Sequence, residues 1–156
     1  MKRNFFSLAS MILVFTVVLF SSCSNNDSET ITVEVDSSLP IGAFTVAKQG
    51  TLTAESGTPT EGTVELGTDT NNTYFLHFAS NFKTETATGT VAIYLSTSEV
   101  YTADPGNGNP DLKLIGSVTS NGERYIKLNG APAAKFTHVI LWCDTANIPF
   151  GNAELQ

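Results

Sequence analysis

The stretch His138-Val-Ile-Leu-Trp-Cys143 follows its histidine with five apolar residues in a row. It is too short for a core helix, rich in β-branched and aromatic residues, and bounded by Thr137 and Asp144, which is how a buried strand reads. Strand side chains alternate, so Val139, Leu141 and Cys143 share one face and His138, Ile140 and Trp142 the other. Apolar residues on both faces predict a central strand covered on both sides.

Outward from this strand, the chain shows alternation between Gly, Pro and Asn punctuation and no sustained period near 3.6. Strand-like runs begin at Ile31-Thr-Val-Glu-Val35. They continue through Ala43–Val46, Thr51–Ala54, Thr63–Leu66, Thr73–Phe78 and Thr90–Leu95, then Asp111–Val118, Arg124–Leu128 and Thr137–Cys143. Gln49-Gly50 separates the second run from the third. Asn71-Asn72, Asn121-Gly122 and Asn129-Gly130 are tight-turn dipeptides that tolerate positive φ. About nine short strands at near-regular spacing predict an all-β fold, an antiparallel sandwich or barrel-like domain.

Composition narrows the function. The chain has 156 residues, 15 acids against 8 bases and a net charge of -7. Nucleic acid is excluded as a partner, because phosphate neutralisation needs a basic face. Two cysteines make no disulfide framework, and two histidines leave little for a metal centre or a hydrolase. No Ser/His/Asp set and no marked carboxylate pair is recognisable, so the reading leans away from an enzyme. Asp104-Pro-Gly-Asn-Gly-Asn-Pro-Asp111 carries oxygen side chains but places glycines where an EF-hand needs ligands, so it reads as a turn-rich loop.

The first segment is a leader. Lys2 and Arg3 precede a mostly apolar run from Phe5 to Phe20, broken by Ser7, Ser10 and Thr16, which reads as a secretory signal peptide. Leu19-Phe20-Ser21-Ser22-Cys23 resembles a bacterial lipobox, with Phe20 bulkier than usual at its position. This predicts a signal peptide over 1–22, lipidation of Cys23, a polar tether over 23–39 and a folded domain over 40–156. Cleavage near Ser22 without acylation, and an uncleaved anchor helix, are the other readings of this segment. Removal of Lys2 and Arg3 leaves six bases against 15 acids, a net charge of -9, which favours standing off an anionic membrane. The expected location is the bacterial cell envelope, at the outer membrane in preference to the inner, with the domain outside the cytoplasm.

The end of the chain carries the most specific pattern. The strand ending Trp142-Cys143 is followed by Ile148-Pro-Phe-Gly-Asn-Ala-Glu-Leu155. Trp142, Cys143, Phe150, Gly151 and Ala153 together resemble the signature of the DM-thirteen domain family. Gly42-x-Phe44, Phe78 to Phe82, Tyr94-Leu95-Ser96 and Tyr125 also fit, so the resemblance spans roughly residues 40 to 155. The Thr-rich stretch Thr84 to Gly89 departs from relatives, which often have Gly-Pro there. The resemblance implies an all-β extracytoplasmic module that takes part in electron transfer, with a cytochrome or a thiol redox protein as partner. It implies that Cys143 is the redox group, as a bare thiol or through a bound group such as haem. Trp142, Phe150, Gly151 and Ala153 would then be structural.

Read from the residues alone, Cys143 is first a small core hydrophobe at the end of its strand. Asp144 beside it is acidic, and no cation is near in sequence. A reactive thiol would need the fold to supply an opening to solvent, a cation or a bound group; Lys83, Lys113, Arg124, Lys127 and Lys135 are the candidate cations. Haem could not be attached covalently without a Cys-x-x-Cys-His motif. His138 faces away from Cys143, which leaves His77 as the second axial ligand if haem is bound. The rival to a redox accessory is a non-catalytic binding or scaffolding module with a structural cysteine.

Overall fold

The structure, a computed structural model, describes residues 39–103 and 108–156. Its strands are β1 (Thr45–Thr51), β2 (Thr53–Ala54), β3 (Thr63–Thr68), β4 (Tyr74–Phe78), β5 (Val91–Ser96), β6 (Leu112–Val118), β7 (Arg124–Lys127), β8 (His138–Cys143) and β9 (Ile148–Glu154). They form a four-stranded sheet in the order β1-β3-β4-β7 and a five-stranded sheet in the order β2-β9-β8-β5-β6. Every paired neighbour is antiparallel. The domain is all-β and sandwich-like, not a closed barrel.

Period-two patterning decides what goes inside. Val64 and Leu66 of β3, Leu76 and Phe78 of β4, and Val91, Ile93 and Leu95 of β5 enter one core. Val139, Leu141 and Cys143 of β8 join them with Phe150 and Ala153 of β9. The central position expected of the His138–Cys143 stretch is its observed one, between β9 and β5. Its outer face is covered too: Ile140 is buried, and Tyr101 lies parallel to Trp142 with ring centroids 3.8 Å apart. The turn dipeptides act as turns, with φ of 60° at Asn72, 91° at Gly122 and 88° at Gly130.

Two expectations change. Gln49-Gly50 is no separator, for β1 runs through both residues. A methyl at Gly50 would come within 2.3 Å of the Glu154 carbonyl oxygen, so this glycine permits a close backbone approach and not a turn. Gln49 and Gln156 exchange two backbone hydrogen bonds of 3.0 Å there, which clasps β1 to the end of the β9 segment. Residues 148–154, outside the strand runs read from the sequence, form a full strand between β8 and β2. The alternating run Ile31–Val35, Cys23 and the whole leader lie outside the described residues. Among those described, no helix is long and apolar enough to cross a membrane.

Candidate functional site

Cys143 ends β8 on its core face and is fully buried, so the opening to solvent that a reactive thiol would use is absent at the residue itself. Its sulfur nevertheless has polar company. The Ala146 amide donates to Sγ at 3.4 Å, from the turn that leads into β9. That turn is closed by Asn147, whose amide donates to the Cys143 carbonyl at 2.8 Å and whose φ is 55°. On the other side the thiol donates to Thr88 Oγ1 at 3.6 Å, and Thr88 is exposed. The sulfur thus has one hydrogen-bond partner in the exposed part of the Thr84–Gly89 loop. Of the candidate cations, Lys83 is paired with Glu61, Lys135 with Asp111 and Arg124 with the Ser120 hydroxyl, so these three are engaged elsewhere.

The opposite face of the same strand carries an aromatic group. Trp142 stacks on Tyr101 at an interplanar angle of 13°, and Tyr101 meets Tyr94 edge-on at 5.2 Å. Burial pushes the Tyr94 phenol well up from its ordinary value, and its hydrogen bond to Tyr101 and the charge of Asp144 push the same way. Trp142 is half-buried under this cover rather than deep in the core.

The closing segment packs tightly. Phe150 and Ala153 are each 1% exposed and belong to the core. Gly151 pairs with Leu141 on β8 and with Ala54 on β2. A methyl there would fall 2.6 Å from the Thr53 carbonyl oxygen and 2.7 Å from Thr60 Cγ2. Thr60 is fixed in turn by a hydroxyl chain, Thr58 to Thr60 and Thr60 to Thr84, each 2.9 Å, while Thr58 donates to the Phe150 carbonyl at 2.5 Å.

His77 lies elsewhere, on the outer face of the other sheet. Nδ1 contacts Glu65 at 2.8 Å and Nε2 contacts Glu123 at 3.1 Å. The ring stacks on Tyr125 at 4.1 Å and 7°, and Phe44 meets both rings edge-on. Burial raises the Tyr125 phenol, with Glu123 and Glu65 adding to it. The residues do not fit a haem held between Cys143 and His77. The two face opposite sides of the four-stranded sheet, and both His77 nitrogens are committed to carboxylates. His138 is also apart from Cys143, bonded through Nδ1 to Thr137 Oγ1 at 2.9 Å. Among the described residues no cluster of His, Cys, Asp or Glu is arranged to hold a metal; Asp104 to Asn107 of the turn-rich loop are not described.

Alternation alone put His77 on the face of Phe75. The partners Glu65 and Tyr125 follow only from register, since both sit directly across from His77 on the neighbouring strands. Thr88, Ala146 and Tyr101 likewise carry no local signal, because they reach their partners through loops.

No curated protein and no solved structure matches the chain significantly. A family model, electron transfer DM13, matches residues 51–155, from the end of β1 to the residue after β9. That span takes in Trp142, Cys143, Phe150, Gly151 and Ala153, and on it the chain belongs to the electron transfer DM13 family.

Proposed function

We propose that the protein is a lipid-tethered extracytoplasmic electron-transfer accessory that works through Cys143. The observation that carries this reading is the setting of the sulfur, which is buried yet held by the Ala146 amide and the exposed Thr88 hydroxyl. The Ala146 amide orients the sulfur, and the exposed Thr88 hydroxyl is a contact that a docking partner can displace. Family membership supports a redox-related role. A lone thiol exchanges electrons through a partner. The thiolate, its proton released to solvent, attacks a partner disulfide, forms a mixed disulfide and expels one partner thiolate. A second thiol then attacks that mixed disulfide and returns Cys143 as thiolate. The partner is thus a thiol redox protein in preference to a cytochrome, and no step runs through haem. The Lys2-Arg3, apolar run and Ser-Ser-Cys23 order supports export, acylation and tethering at the cell envelope.

The test is thiol modification of folded protein. Native Cys143 should react slowly but well ahead of global unfolding, and Thr88→Gly should speed it about tenfold by removing that contact. Modification that waits for global unfolding would make Cys143 packing and leave the module a binding or scaffolding domain, the reading its complete burial favours. A haem absorbance band in purified protein would replace the thiol route. Cys23→Ser should abolish lipid labelling and release the domain; a variant that stays membrane-bound with residues 1–22 intact would make the segment an anchor helix.

A further inference from the structure

The two faces of β8 carry different chemistry. Cys143 enters the core, whereas Trp142 lies on the outer face of the five-stranded sheet. The chain has one tryptophan and four tyrosines, and these aromatic side chains are the ones that give up a single electron readily. Trp142 and two of the tyrosines form one row. Trp142 and Tyr101 have ring centroids 3.8 Å apart at an interplanar angle of 13°, and Tyr101 meets Tyr94 at 5.2 Å and 68°. Register prepares the row: Tyr94 pairs with Ile140 and Trp142 with Ala92, so Tyr94 and Trp142 are diagonal neighbours on one face. Tyr101 arrives from the loop after β5 and joins them.

Tyr125 provides the contrast. Its ring meets His77, Phe44 and Phe75, all of them harder to oxidise than tyrosine, so a charge on Tyr125 has no ring there to move to. In the Trp142 row each ring has an oxidisable neighbour in contact. Tyr101 also has a feature that suits a radical. Tyr94 is hydrogen-bonded to Tyr101, and the bond pushes the Tyr94 phenol up from its ordinary value, which is its effect on a phenol that donates. A hydroxyl donated to the Tyr101 oxygen stabilises a phenoxyl radical at that oxygen. The three rings are half-buried, and Val100 and Thr102 on either side of Tyr101 are exposed, so a reagent reaches the row without unfolding the core.

We infer that Trp142, Tyr101 and Tyr94 form a one-electron relay on the outer face of the five-stranded sheet, with Tyr101 as the seat of the radical. A one-electron oxidant takes an electron from the Trp142 indole, whose N–H proton goes to solvent. Tyr101 then gives an electron to the indolyl radical and its phenolic proton to solvent, and the indole takes a proton back. The Tyr101 phenoxyl, held by the Tyr94 hydroxyl, regains an electron from a one-electron donor at the surface and a proton from solvent. Single electrons move here through rings, and Cys143 on the opposite face takes no part. Failure of the thiol route therefore leaves the relay standing, and failure of the relay leaves the thiol route standing.

The experiment is flash photo-oxidation of the full chain by photogenerated ruthenium tris-bipyridine, read by transient absorption and high-field electron paramagnetic resonance. The tryptophanyl band should decay as a tyrosyl band grows. Tyr101→Phe keeps a ring on Trp142, so the melting temperature should hold while the growth of the tyrosyl band out of the tryptophanyl band is lost. Tyr94→Phe should keep that transfer but raise the largest g value of the tyrosyl signal, because the phenoxyl oxygen has lost its donor. Tyr125→Phe should change neither. Tryptophanyl decay in the wild type that feeds no tyrosyl band would overturn the relay and reduce the row to packing. Transfer that survives in Tyr101→Phe, transfer lost in Tyr125→Phe, or a tyrosyl g value indifferent to Tyr94→Phe would each overturn the assignment as well.

Discussion

At the scale of single residues, the closing strand shows how little freedom its signature has. Phe150 fills the core at 1% exposure, so Phe150→Ala should cost about 3–5 kcal/mol in urea unfolding. Gly151 must stay small because β2 backbone occupies the place of its side chain. Gly151→Ala should cost about 1–3 kcal/mol, and an unchanged urea midpoint would show that β2 simply moves away. Asp69 is the corresponding polar residue: it is buried, accepts the Ile41 amide at 3.0 Å and those of Asn71 and Thr73 at 2.9 Å, and so ties residues 39–42 to the turn after β3. Burial alone would raise its pKa, but the amides of Ile41, Thr73 and Asn71 outweigh it and hold the carboxyl below its ordinary value of 3.8. A depressed folded pKa adds stability that is present above the ordinary value and fades as pH falls through the folded one. Asp69→Asn should therefore melt below wild type at neutral pH, with the gap closing as acid protonates the wild-type carboxyl. A gap constant from pH 7 to pH 2 would mean that ionisation is irrelevant.

Strands show how an element depends on what covers it. β8 is buried on its core face by the opposite sheet and on its outer face by Tyr101, which arrives from the loop after β5. Tyr101→Ala should uncover Trp142, the chain's one tryptophan, and shift its emission to the red. The core should remain cooperative, because Val139, Leu141 and Cys143 keep their contacts. An emission maximum that does not move would mean that other loop residues shield the indole. β1 presents the edge case. It is an outer strand, largely exposed, and a register shift between Val46 and Lys48 breaks its ladder. Lys48 and this bulge discourage edge-to-edge association.

For the whole molecule, β9 is the strand that makes two layers into one domain. It pairs with β8 and β2, and the residues after it reach β1 through Gln156. Truncation after Asp144 removes all three connections together with Phe150, Ala153 and Leu155 from the core. The truncated chain should lose its cooperative thermal transition by circular dichroism; a melt at the wild-type temperature would show that the sandwich closes without it.

The amino-acid sequence carried the secondary-structure class, because the β period is written into residues such as Val64, Leu66, Leu76 and Phe78 that alternate with polar or outer-face neighbours. It also determined that His138–Cys143 is central, since five apolar residues in a row need cover on both faces, and the Trp142 to Ala153 pattern carried the family. It could not determine Gly50 as a strand residue, since a glycine placed for close approach is written with the same letter as one placed for a turn. Partners separated by tens of residues belonged to the tertiary structure alone. Glu65 meets His77 through strand register, and Thr88 meets Cys143 through a loop. Local patterning fixes which way a side chain points, but only the pairing order and the loop paths decide what it meets.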